Sequence, residues 1–141
     1  MKILLPADGS GCAVRAAEHL VRLVPELADP PEIHLLQVHL PIPVGRVQAH
    51  VSRETLAAYY REESEAQLAS AIEVLKIAGL TYTTHIHVGQ PAEVIVDLAR
   101  SLEVAMILMG THGRGAMGTL TLGSVSAKVV HLSSCPVLLI K

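Results

Sequence analysis

Along the 141 residues, short apolar runs alternate with stretches of helical spacing, and that alternation constrains the fold more than any other feature. "KILLPA" (2–7), "EIHLLQVHL" (32–40), "LTYTTHIHV" (80–88), "VAMILMG" (104–110) and "PVLLI" (136–140) have the length and branching of strands. Between the first two, Ala13, Ala16, Ala17, Leu20, Val21 and Val24 mark one face of a helix. Ser52 is placed to cap a long helix reaching Ala78, with Leu68, Ala71, Ile72 and Leu75 on one face and Gly79 as its stop. Pro91 opens a third helix with a stripe of Ile95, Leu98, Ala99 and Leu102. Leu122, Val125, Val129 and Leu132 give the stripe of a fourth. "PIPVGRVQAHV" (41–51) reads as a loop, and the glutamate-rich "REESEAQ" (61–67) as the wet face of the second helix.

A β-α-β-α-β-α-β-α-β order with right-handed crossovers predicts an α/β fold. The expected form is an open five-stranded parallel sheet, strand order 3-2-1-4-5, helices on both faces, in a single domain spanning 1–141. Composition agrees: 50% of residues are hydrophobic, yet there are three Tyr and no Phe or Trp. Such a core is aliphatic, as in a covered parallel sheet. A net charge of −2 without any basic run gives no footprint for nucleic acid or an acidic membrane. Two cysteines make no disulfide framework. The apolar start is too short for a signal peptide, and no run nears the ~20 residues of a membrane span. A cytoplasmic protein is expected.

In this topology the strand order reverses between strands one and four, and ligands bind at that switch point, beyond the carboxyl ends of the strands. Two segments fall there, "PADGSG" (6–11) and the glycine-rich "GTHGRGAMGTLTLGS" (110–124). Glycines permit close backbone approach, and a helix N-terminus attracts anions. The second segment therefore suits a phosphate chain. It is not a P-loop, because no Lys precedes Ser124. Gly113, Gly115 and Gly118 do form G-x-G-x-x-G, but after strand four instead of opening a first βαβ unit, so the dinucleotide reading is set aside.

The complete spacing Gly110-x2-Gly113-x9-Gly123-Ser124 resembles that of the universal stress protein family, ATP-binding branch. So do "ILLPADGS", "LLQVH", "VGQPAEVIVDLA", "ILMGTHGRG", "LGSVSAKVV" and "CPVLLI", which run through the whole chain. The resemblance implies an adenine nucleotide alpha hydrolase-like, Rossmann-like fold and a nucleotide-dependent stress-response role. It also implies positions for the ligand. Asp8 would contact the nucleoside, with Pro6 and Ala7 on the same wall. The backbone of Val38 would meet the adenine edge. Met109 and Gly110 would lie beside the ribose. Gly113, Gly123 and Ser124 would hold phosphates, with Val125 continuing the cradle and Arg114 and Gly115 in the same loop. The cofactor implied is ATP, with Mg or Mn carried by its phosphates.

Other readings of these residues stay open. Asp8 also suits a turn or helix cap, and Ser124 a plain first-turn position. His112 could touch phosphates or face solvent, and Arg114 could pair with them. His85 and His87 share a sheet face, but no Cys/His cluster supplies a metal site, so structural or solvated histidines are expected. Cys12 near a helix start could be redox-active or simply a small buried side chain. No base beyond His112 and no acidic pair for Mg stand out, so catalytic residues are not assigned and hydrolysis is at most slow. Alternatives are a slow ATPase, a binder of another adenine nucleotide such as cyclic AMP, and a partner-docking protein with a vestigial site. Finally, Val137, Leu138, Leu139 and Ile140 form an apolar edge strand, which predicts a homodimer paired through strand five.

Overall fold

The structure, a computed structural model, describes residues 1–42, 52–113 and 122–141. Arg114 and Gly115, with the rest of the glycine segment from 114 to 121, lie outside the described residues, as does most of the loop expected at 41–51.

The elements run β1 (Lys2–Pro6), α1 (Gly11–Leu23), a 3-10 turn (Val24–Glu26), β2 (Glu32–His39), α2 (Arg53–Ile77), β3 (Tyr82–Val88), α3 (Pro91–Ser101), β4 (Met106–Gly110), α4 (Ser124–Leu132) and β5 (Val137–Ile140). The strands form one parallel sheet in the order β3-β2-β1-β4-β5, as expected. Strand alternation sends successive side chains to opposite faces, and in β1, β2 and β4 both faces are buried. Ile3, Leu5, Ile33, Leu35 and Leu108 pack under α1 and α2, against Ala13, Ala16, Ala17, Leu20, Leu68, Ala71 and Leu75. Leu4, Leu36, Ile107 and Met109 pack on the other face against Ala92, Ile95, Val96, Ala99 and Val129 of α3 and α4.

The ladders are unequal. β1 pairs with β2 from Lys2↔Glu32 to Pro6↔Leu36, and β2 with β3 from Ile33↔Tyr82 to His39↔Val88. β1 and β4 share only Ile3↔Met106 and Leu4↔Ile107. The two central strands thus part early at their carboxyl ends, directly below the crevice.

Several boundaries differ from the sequence reading. β3 begins at Tyr82 because Gly79 and Leu80 close α2, donating to the carbonyls of Lys76 and Leu75 at 3.0 Å each. β4 begins at Met106 because Val104 still donates to the carbonyl of Ala99, ending α3. The stripe of the fourth helix is also different. Leu122 precedes α4 and is exposed, as is Leu132, whereas Ser126 is buried beside Val129. Residues 61–67 are not simply a wet face, since Ser64 and Gln67 are buried against β2. Cys12 is half-buried, and the Arg15 guanidinium donates to its Sγ at 2.8 Å.

β5 is the edge strand beyond β4, and its four residues are half-buried. β3 is the opposite edge. There His34, 4% exposed, places Nδ1 3.0 Å from Nε2 of His85, whose ring stacks on His87. Burial first, then repulsion from His34 and His87, lowers the pKa of His85. Among the described residues no cluster of three metal-binding side chains occurs, and no helix is long and apolar enough to cross a membrane.

Candidate nucleotide site

Where β1 and β4 part, their carboxyl ends open into a cleft of about 580 Å³. That volume is typical of a small-molecule site. Its floor is built from turns that fix one another. Ser10 is the N-cap of α1, its Oγ accepting from the Ala13 N–H at 3.2 Å. The cap is therefore Ser10 and not Asp8. Asp8 instead accepts the Ser10 N–H through Oδ1 at 3.0 Å, which shapes the turn and leaves Oδ2 on the side of Gly113. The Ser10 hydroxyl also donates to the carbonyl of His112 at 3.4 Å, joining the β1 turn to the end of β4.

Close approach sets the glycines here. A Cβ on Gly110 would lie 2.6 Å from Cβ of Cys12, so α1 and β4 could not meet as they do with a side chain there. A Cβ on Gly113 would lie 2.6 Å from Asp8 Oδ2, in the space the carboxylate needs.

The phosphate-suited wall is the start of α4. Its N-cap is Gly123, which supplies no side-chain bond, and the first intrahelical bond is Ala127 N–H to Gly123 C=O. The N–H groups of Ser124, Val125 and Ser126 thus have no intrahelical acceptor and carry the positive end of the helix dipole. These three residues border the cleft. Ser126 is buried, and its hydroxyl lies 3.0 and 3.1 Å from the carbonyls of Gly110 and Thr111. Gly123 N–H donates to Thr111 C=O at 2.9 Å. Together these bonds pin the helix start to the end of β4.

The opposite wall is the end of β2. Ala7 N–H donates to Leu36 C=O, and Gly89 N–H to His39 C=O. Backbone groups alternate sides along a strand, so Val38 turns its N–H and C=O toward the β1 side, where the β1 ladder has already ended. Behind this edge runs a polar chain. Ser64 Oγ donates to Gln37 Oε1 at 2.6 Å, and Gln37 Nε2 donates to Gln67 Oε1 at 2.7 Å and to Val38 C=O at 3.2 Å. Gln67 Nε2 donates to Glu63 Oε1 at 3.3 Å, and Glu63 Oε2 meets His39 Nε2 at 2.8 Å. Hydrogen bonding to Glu63, then its charge, raises the pKa of the Tyr59 phenol.

Pro6, Ala7, Asp8, Val38, Met109, Gly110, Gly113, Gly123, Ser124 and Val125 all line this one cleft, as does His112. Sequence reasoning missed Ser10, Gln37, His39, Glu63, Gln67, Pro91 and Ile95, which line it too. A signal existed for part of this wall. Gln37 interrupts an apolar strand, and a buried amide needs partners. Ser64 falls on the same helical stripe as Leu68, Ala71 and Leu75.

A family profile described as the universal stress protein family matches residues 1–141. The chain belongs to the universal stress protein family. A universal stress protein of Thermus aquaticus is 36% identical over 140 residues, covering 99% of this chain and 97% of that one. The solved structure of MJ0577, a universal stress protein of Methanocaldococcus jannaschii, superposes with a TM-score of 0.83 at 31% identity, covering 99% of this chain and 94% of that one. A universal stress protein solved in complex with cAMP shares the fold, with a TM-score of 0.71 at 20% identity and coverage of 100% and 97%.

Proposed function

We propose that the cleft binds an adenine nucleotide, ATP in particular, and that the protein is a nucleotide-dependent regulatory module of the stress response. The observation that carries this reading is the start of α4, which has no side-chain cap and is pinned at the cleft by Ser126. Three N–H groups at a helix start suit phosphate oxygens. Across the cleft, the N–H and C=O of Val38 suit the edge of a base. The Asp8 carboxylate, between them, suits ribose hydroxyls or a base amino group, beside Pro6 and Ala7. Met109 and Gly110 form the intervening surface, Gly113 and Gly123 leave room for phosphates, and Ser124 and Val125 complete the cradle. Arg114 and Gly115 belong to the proposed phosphate segment by the sequence motif alone. Mg or Mn would be carried by the phosphates.

Holding the nucleotide is the proposed activity, with hydrolysis slow at most. The cAMP bound by a fold neighbour supports the adenine class and makes cyclic AMP the second reading. We also propose a homodimer through β5. Pro136 and Ile140 carbonyls accept from β4, so the N–H groups of Val137 and Leu139 point outward, where a second copy could pair. Mass spectrometry of nucleotide released on denaturing the purified protein, followed by calorimetric titration with ATP and cyclic AMP, tests the ligand. A protein that releases none and binds neither refutes the proposal.

A further inference from the structure

Three polar side chains are buried together at the end of β2. Gln37 is 2% exposed, Ser64 0% and Gln67 8%. The direction of the Gln37 amide follows from its partners. The Val38 carbonyl can only accept, so the end of the amide 3.2 Å from it is the NH2. The same NH2 donates to Gln67 Oε1 at 2.7 Å, and Gln37 Oε1 accepts from Ser64 Oγ at 2.6 Å. Turning the amide over would set two oxygens against each other at Val38. Both N–H groups and the oxygen of Gln37 are therefore engaged, and the side chain has one orientation.

What this amide holds is the Val38 carbonyl. β1 pairs with β2 only as far as Pro6↔Leu36, so the N–H and C=O of Val38 face the β1 side beyond the end of that ladder. A carbonyl oxygen has two lone pairs, and Gln37 takes one. The peptide plane is thereby anchored, with one lone pair left for a donor arriving from the cleft. The Val38 N–H offers a donor on the same side. A donor beside an acceptor matches adenine, whose N1 accepts and whose 6-amino group donates. A 6-oxopurine presents the reverse, N1–H beside O6, and sets donor against donor and acceptor against acceptor. Unpaired polar groups of that kind are what let a site reject the wrong ligand.

We propose that Gln37 is a positioning residue that makes the cleft selective for 6-aminopurine over 6-oxopurine nucleotides, by holding the Val38 carbonyl in place. This rests on the cleft being the nucleotide site. Gln37 acts through Val38, and Ser64 and Gln67 fix Gln37. The acceptor for the 6-amino group is thus set before the ligand arrives, and no binding energy is lost in ordering it.

The test compares ATP, ITP and the triphosphate of purine riboside by calorimetry, in the wild type and in Gln37→Met. The three share ribose and phosphates, and carry an amino group, an oxygen or only hydrogen at the six position. The wild type binds ATP roughly five- to tenfold tighter than purine riboside triphosphate, and ITP more weakly still, as one well-placed hydrogen bond allows. In Gln37→Met that advantage falls to about twofold or less, while affinity for purine riboside triphosphate stays within about twofold of the wild type. A purely structural role would weaken all three ligands alike and keep their ratios, and that result overturns the inference. So does a wild type indifferent to the six-position group. Both leave the nucleotide site standing, because the ligands still bind. Should Gln37→Met fail to fold, Ser64→Ala takes its place, since it removes only the donor to Gln37 Oε1. There the ratio of ATP to purine riboside triphosphate affinity falls by about twofold or more, and an unchanged ratio overturns the inference. A protein that binds none of the three removes the nucleotide site and this inference with it.

Discussion

Replacing Gly123 with Val is the sharpest test of the phosphate wall. The backbone at Gly123 has φ −62° and ψ 152°, which Val adopts without strain, so the effect is one of space. A Cβ there falls 2.9 Å from the carbonyl oxygen of Thr111 and 3.3 Å from Cα of His112. Both are backbone atoms, so no rotamer change relieves the clash. The helix start must move off the end of β4, breaking the bond from Gly123 N–H to Thr111 C=O and drawing Ser124 and Val125 from the cleft. A hydrogen bond to a charged group is worth about 1.5–3 kcal/mol, so losing two costs roughly 3–6 kcal/mol of ATP binding. That is on the order of 10²- to 10⁴-fold in affinity. Adenosine, which lacks phosphates, should lose far less. Calorimetry with both ligands, beside circular dichroism to confirm the fold, separates the two effects. Unchanged ATP affinity in a folded Gly123→Val protein would refute the assignment of α4 as the phosphate cradle.

Four further outcomes are expected. Asp8→Ala should weaken nucleotide binding by about 1.5–3 kcal/mol by titration; a loss confined to stability would reduce Asp8 to its turn role with Ser10. Ser126→Ala removes the buried hydroxyl that the carbonyls of Gly110 and Thr111 share and should cost about 1–3 kcal/mol in urea unfolding. Val137→Pro removes an outward N–H while sparing the β4 ladder, and sedimentation should show monomer where the wild type is a dimer; a monomeric wild type at high micromolar concentration sinks the β5 pairing. His85 has its pKa lowered by burial and neighbouring imidazoles, so the unfolded chain binds its proton first as pH falls. Stability from this residue is present above the ordinary imidazole range and is lost on acidification below it. The acid-side slope of urea unfolding should therefore flatten in His85→Gln.

The sheet order was legible because each strand is a short aliphatic run and each crossover has a helical stripe. What escaped was decided at long range. Residues 61–67 look solvated by composition, yet Ser64 and Gln67 turn inward because Gln37, far away in sequence, needs a donor and an acceptor. Leu122 and Leu132 look like core by spacing, but α4 is short and held at its start by a serine hydroxyl, leaving both ends exposed. The starts of β3 and β4 were read too early because Leu80 and Val104, apolar like strand residues, serve as the closing turns of helices. The glycine motif located one wall of the cleft; the His39–Glu63 wall has no local sequence signature.

The short ladder between β1 and β4 divides the sheet into a β3-β2-β1 half and a β4-β5 half, with two registered pairs across the seam. Asp8 and Val38 belong to the first half, Gly110 and α4 to the second. A nucleotide seated between them would act as a rivet across the least-paired joint in the sheet. Its presence would then be felt as stiffness. Amide protons of β4 and β5 would exchange with solvent by hinged opening in the empty protein, and that opening would slow when the rivet is in place. A partner sensitive to how readily the two halves part could read nucleotide occupancy without touching the nucleotide.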